Sequence, residues 1–169
     1  MNPPACYFAY GSNMNPQRVA ARIGETHSAM PGVLKGYELR FDKASRVPGV
    51  SHANVVARPG ARVEGVLIGL KHSGQILAMD PFEGHPTAYQ RHRLPIHTGQ
   101  GVIDAWVYIA VPGTTEAERL PAREYLMHLL KGEAFLSSAY RAWLAETPCV
   151  EGLGQEALKS LGISPDSQG

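Results

Sequence analysis

Apolar and polar positions along the first 111 residues fall mostly into short alternating runs, and those after Thr114 fall mostly at helical spacing. The run 6–10, Cys-Tyr-Phe-Ala-Tyr, stops at Gly11-Ser12-Asn13. Aromatic residues in such a run predict a buried strand, and the three residues after it a tight turn. A helical pattern opens at Asn15-Pro16 and covers 15–23, with Pro16 suited to the first turn and Gly24 to the stop. Arg18 and Arg22 lie four apart, on one helix face. Pro31-Gly32 marks a turn, Val33-Leu34 a short apolar pair, and Tyr37, Leu39 and Phe41 alternate with polar residues as in a strand. Residues 42–51 read as a polar loop. Residues 52–58 read as a strand closed by Pro59-Gly60, and 63–70 as a further strand. Residues 73–80 allow one or two helical turns. Residues 91–97 and 102–111 predict antiparallel neighbours joined across 98–101.

The amphipathic segment 121–131 places Tyr125, Leu126, Leu129 and Leu130 on one side, and Gly132 stops it. Helices follow over 137–146 and 154–161, the latter ending at Gly162, and residues 164–169 form a polar, frayed tail. Strands mostly first and helices mostly last predict an α+β fold, and several glycine-containing strands point to a curled, partly closed sheet. The 169 residues suit one domain, 1–163, with 164–169 as a flexible tail.

Charge narrows the function classes. The formal net charge is +1 and only 18% of residues are charged, which argues against a nucleic-acid or anionic-membrane surface. No apolar run approaches the ~20 residues of a membrane span, and the start lacks the layout of a secretory signal. Cys6 and Cys149 are distant and read as free thiols in a reducing compartment, with the cytoplasm as the expected location. The seven histidines are scattered, with no Cys or carboxylate partner at ligand spacing, so no metal is expected. No P-loop or dinucleotide fingerprint points to a cofactor.

Two stretches carry candidate chemistry. The turn Gly11-Ser12-Asn13 presents backbone N–H groups that can hold an oxyanion or carboxylate, or it is a plain strand-to-helix turn. The segment 79–91 holds two prolines and a glycine and reads as a rigid loop; Asp80 and Glu83 are its carboxylates. Met79 and Phe82 flank Glu83 with apolar bulk. If they bury it, its pKa rises and it can exchange a proton near neutral pH; a solvated loop carboxylate is the plainer reading. Asp80 reads as a brace.

Tyr10-Gly11-Ser12-Asn13-Met14, followed by Asp80-x-x-Glu83-Gly84 and Tyr89-x-Arg91, resembles the γ-glutamylcyclotransferase family. The segment 33–41 with Ser45 after it, Val63-Glu64-Gly65-Val66-Leu67, and Pro121-x-x-x-Tyr125 ahead of Gly132 are similar to further family features. Ala122 departs from the family, where serine often follows the proline. The resemblance implies a small mixed β-barrel of five to seven strands with helices around it. It also implies release of 5-oxoproline from a γ-glutamyl amide by attack of the α-amine on the γ-carbonyl. Glu83 would be the general acid/base. Tyr10, Gly11, Ser12, Asn13, Ser45, Tyr89 and Tyr125 would bind substrate, although core packing explains each tyrosine equally well. The expected partner is a small γ-glutamyl compound, with no cofactor, nucleic acid or membrane, and the chain a monomer or homodimer. The competing readings are a γ-glutamylamine cyclotransferase with the same glutamyl recognition and a different leaving group, with glutathione as another possible substrate; a non-catalytic module binding a glutamyl or amino-acid-like ligand; and a hydrolase with Ser12 as nucleophile. Ser12 lacks the Gly-x-Ser-x-Gly setting of a nucleophile elbow.

Overall fold

In a computed structural model, residues 2–163 are described. The expected tail, 164–169, lies outside them. Six strands form one sheet: β1 (Cys6–Ala9), β2 (Ser28–Ala44), β3 (Val50–Gly69), β4 (Tyr89–Thr98), β5 (Gly101–Ala110) and β6 (Leu120–Pro121). Their order is β1-β5-β4-β2-β3-β6, and β1 also pairs with β3. That second pairing closes β1, β5, β4, β2 and β3 into a five-stranded barrel and leaves β6 as an extra strand on β3. β1 runs antiparallel to β3 and parallel to β5, so the barrel is mixed.

Strand β1 is short, and its residues 7–9 are all buried. Phe8 is fully buried, and β-carbons added at Gly32 and Gly65 would stand 3.3 and 2.7 Å from its ring. The two glycines thus make room for the ring inside the barrel, where Leu34, Val63, Ile96 and Val107 are buried with it in one core.

The two strands expected over 52–58 and 63–70 are one strand, β3, and the two short pieces after Pro31 are one strand, β2. The ladder between them shifts register from Lys35↔Arg62 to Tyr37↔Ala57. Residues 58–61, with Pro59-Gly60, stand out opposite Gly36 at that shift. The breaker pair bends the strand and does not end it, because the pairing resumes on both sides.

The helices are α1 (Pro16–Ile23), α2 (Ile76–Glu83), α3 (Arg123–Leu130), α4 (Ser138–Ala145) and α5 (Gln155–Ser160). Helix α1 is capped by Asn15, whose side chain accepts from the Gln17 N–H at 3.1 Å. The segment expected as a rigid loop from Met79 begins as helix: α2 runs through Pro81 to Glu83. Pro81 is tolerated because only two helical residues follow it, so the missing N–H removes one hydrogen bond from the last turn. Gly84 ends the helix with φ 64°, the left-handed conformation that glycine adopts without strain. Gln75 ties α2 to α1 by donating to the Ile23 and Glu25 carbonyls at 3.2 and 2.9 Å. None of the described helices is long and apolar enough to cross a membrane.

Candidate active site

Strand β1 ends at the barrel mouth, where residues 12–14 make one 3-10 turn before α1. Ser12 and Asn13 do not cap a helix there. Their side chains turn toward α1 and α2 instead. Asn13 is buried, and its Nδ2 lies 3.0 Å from Glu83 Oε1, 2.8 Å from the Tyr7 hydroxyl and 3.5 Å from Met79 Sδ. This amide joins β1 to the last residue of α2. Ser12 Oγ accepts from Arg18 Nε at 3.1 Å.

A cavity of about 110 Å³ lies over this junction. Its wall includes Tyr10, Gly11, Ser12, Asn13, Glu83, Tyr89 and Tyr125, brought together from α2, β4, α3 and the turn after β1. Gly11 has φ −116° and ψ −137°. It is there for space: a β-carbon would stand 3.1 Å from the Tyr125 hydroxyl and 3.3 Å from Ala53. The N–H groups of Ser12 and Asn13 have no acceptor among the described residues.

Ser45 does not reach this wall. Its hydroxyl lies 2.7 Å from the Val50 carbonyl and 3.0 Å from that of Val47, and it accepts the Val47 N–H at 3.1 Å. It closes its own loop, and Arg119 Nη1 bonds the Ser45, Val47 and Val50 carbonyls of the same loop.

The tyrosines divide by what holds their hydroxyls. Tyr10 donates to the Tyr108 carbonyl at 2.5 Å and Tyr89 to the Ala53 carbonyl at 2.6 Å. These two brace the barrel mouth and offer a ligand their rings. Tyr125 accepts the Ala53 N–H at 3.0 Å, and Tyr7 accepts from Asn13. Neither has an acceptor for its own proton among the described residues, so both can donate to a ligand. Burial raises the pKa of every one of these phenols; that of Tyr125 is pushed up to about 12, even though the Ala53 N–H bond pulls it down. All stay protonated at neutral pH.

Glu83 is partly exposed as a residue, but protein encloses its carboxyl group. Burial raises its pKa above the ordinary carboxylate value. The guanidiniums of Arg22 and Arg18 and the bond from Asn13 pull the other way, and the Asp80 charge adds to the rise. Of the two apolar neighbours in sequence, Met79 is fully buried and Phe82 is 51% exposed. Phe82 therefore closes off the carboxyl group less than its place in the sequence suggests. Asp80 is a brace: it forms a two-pronged pair with Arg91 at 2.8 and 3.0 Å and accepts from the Tyr108 hydroxyl at 2.6 Å. Burial would raise its pKa, but these bonds outweigh burial and hold it below the ordinary value.

Five further polar side chains reach the cavity: Tyr7, Arg18, Arg22, His52 and Tyr108. Arg18 is buried, bonded to Ser12 and, through Nη1, to the Gly162 carbonyl at 2.9 Å. Burial and then the charge of Arg22 lower its pKa to about 10, so it remains a cation. His52 packs edge-on against Tyr125, ring centroids 5.2 Å apart. Burial, with Lys43, Arg18 and Arg22 nearby, lowers its pKa to about 4, so the ring is neutral at pH 7. The helical spacing of Arg18 and Arg22 was the readable signal; which way their face points was not. No His, Cys, Asp or Glu cluster among the described residues could hold a metal ion.

A mixed barrel with one enclosed carboxyl group, uncommitted backbone N–H groups and two cationic side chains around one cavity makes a small-molecule site. Residues 7–127 match the family described as gamma-glutamyl cyclotransferase, AIG2-like, and the chain belongs to that family. The solved structures it resembles include a gamma-glutamyl cyclotransferase at TM-score 0.80 and 22% identity, covering 96% of this chain and 95% of that one. They also include the uncharacterized human protein loc79017 at TM-score 0.77 and 23% identity, covering 96% and 95%. A yeast gamma-glutamyl cyclotransferase specific to glutathione matches at TM-score 0.61 and 14% identity, covering 86% and 95%. At these identities the likeness concerns the fold. A search of curated protein sequences gives no significant match.

Proposed function

We propose that this chain is a γ-glutamylcyclotransferase that releases 5-oxoproline from a γ-glutamyl amide. The observation that carries the proposal is the Glu83 carboxyl group, enclosed, with a raised pKa, and fixed by Asn13 beside the Ser12 and Asn13 N–H groups. In this reading, ionised Glu83 takes a proton from the substrate's α-ammonium. The freed amine attacks the γ-carbonyl, forming the ring C–N bond. The tetrahedral oxyanion is met by backbone N–H groups of the turn, with Tyr7 or Tyr125 as a further donor. The amide C–N bond then breaks as Glu83 returns its proton to the departing nitrogen, and Glu83 relays the second proton of the ring nitrogen to the expelled amine, which leaves as an ammonium. Atoms and charge then balance without a co-reactant, and one carboxyl group serves both proton relays. The protein's other task is to hold the folded conformer, an entropic contribution.

The substrate's α-carboxylate is complementary to the Arg18 charge deep in the site. The hydrolase reading finds no support in Ser12, because its Oγ accepts from Arg18 and no base is hydrogen-bonded to it among the described residues. Incubation with γ-glutamylalanine and mass detection of the products tests the proposal. 5-oxoproline and alanine in equal amounts are expected; glutamate and alanine would overturn it.

A further inference from the structure

Arg18 and Arg22 stand one turn apart on α1, but only Arg22 is free to meet a ligand at the rim. Arg18 is buried and bonded through both Nε and Nη1. Arg22 is half-buried, its guanidinium 4.9 Å over the ring of half-exposed Phe82. Its one hydrogen bond among the described residues is long, 3.4 Å from Nη1 to Asn13 Oδ1, and it forms no ion pair there. Most of its guanidinium donors remain available. The cavity behind it, about 110 Å³, is well below the ~300–1,000 Å³ of pockets that enclose a whole ligand. It takes the small glutamyl unit, so the group on the amide nitrogen must project past Phe82 and Arg22.

We propose that Arg22, stacked on Phe82, is the specificity-determining residue for the leaving group and pairs with a carboxylate on the expelled amine. This rests on the cyclotransferase reading above and names which amides it favours: those of amino acids and peptides over those of simple or cationic amines. A planar guanidinium fork matches a carboxylate with two parallel bonds. The Phe82 ring sets the plane of that fork. A leaving group carrying an ammonium meets two guanidiniums, with Glu83 alone to offset them, so the same feature attracts one class and repels the other.

The test compares kcat/KM for γ-glutamylalanine and γ-glutamylethylamide, which differ only by that carboxylate, in the parent and in the Arg22→Gln and Arg22→Lys variants. The parent is expected to favour γ-glutamylalanine by about 10–100-fold, the worth of a hydrogen-bonded charge. Arg22→Gln should bring the ratio to within about 3-fold of unity, and Arg22→Lys should keep an intermediate preference, since a point charge replaces a fork. Any effect of the lost charge on Glu83 is common to both substrates and cancels in the ratio. A parent ratio near unity, or a ratio that survives Arg22→Gln, overturns the inference while leaving the reaction in place. Release of 5-oxoproline from neither amide by the parent overturns the reaction, and this inference with it.

Discussion

Glu83 sits where its ionisation is unfavourable, and this has a measurable sign. A carboxyl group with a raised folded pKa contributes stability that is present below its unfolded pKa, about 4.3, and is lost as pH rises through the folded value. Glu83→Gln removes the charge and keeps an oxygen for the Asn13 amide. The variant is expected to unfold at a higher temperature than the parent at pH 7, with the gap closing below about pH 4. Equal melting temperatures across that range would contradict the buried charge. Activity should fall on the acid side as Glu83 takes its proton, at a pH above the ordinary carboxylate range. Asp80 behaves in the opposite way. Its bonds to Arg91 and Tyr108 are mostly shielded, with side chains about one-sixth exposed. Asp80→Ala leaves Arg91 unpaired and is expected to lower unfolding free energy in urea by about 3 kcal/mol; a loss below about 1 kcal/mol would mean the pair is dispensable.

At the scale of elements, the site depends on how α2 ends. Gly84 has φ 64°, and a β-carbon there would stand 2.8 Å from that of Ala88. Gly84→Ala therefore meets both backbone strain and a close contact. The expected cost is about 1–2 kcal/mol, with a loss of activity because the same residue aims Glu83. A drop in melting temperature with unchanged kcat would show that the helix end and the carboxyl group are uncoupled. Much of this was legible in the chain. The aromatic run 6–10 stopping at Gly11 marked the strand end, and Asn15-Pro16 marked the helix start. Pro81 misled, because a proline near a helix end resembles one in a loop until the following glycine is seen to be the cap. Pro59-Gly60 misled in the other direction, because a register shift within one long ladder has the same local composition as a turn between two strands. Ser45 followed its family motif but spends its hydroxyl on its own loop, and sequence order says nothing about which way a hydroxyl turns.

The whole molecule is a closed barrel with one ring at its centre. Phe8 is buried between Gly32 and Gly65, so Phe8→Ala should lower stability by about 3–5 kcal/mol. A loss under about 1 kcal/mol would mean the barrel collapses onto the gap. Two histidines weaken the fold on the acid side. His52 and His128 have pKa values lowered to about 4, in each case by burial first and then by nearby cations. Their unfolded value is about 6.5, so the unfolded chain binds more protons between those pH values and stability falls as pH drops through that window. A urea midpoint that falls between pH 6.5 and 4, and falls less in His128→Asn, is the expected result. The strands were readable from alternation, and the barrel was implied by the resemblance. Its closure was not readable, because β1 meets β5 through a single parallel pairing, Tyr7↔Trp106, that no sequence spacing signals. The same holds for the far walls of the site. Tyr108 comes from β5 and His52 from β3, and only the closed barrel puts them beside Asn13.

The account turns on one carboxyl group doing two proton transfers. The most direct test is the rate of 5-oxoproline release from γ-glutamylalanine by the parent and by Glu83→Gln, with circular dichroism confirming that both are folded. A loss of about 10²–10⁴-fold in kcat, the usual worth of a general acid/base, is the predicted result. A folded Glu83→Gln protein that releases 5-oxoproline within about 10-fold of the parent rate would contradict it and place the proton transfers elsewhere in the cavity.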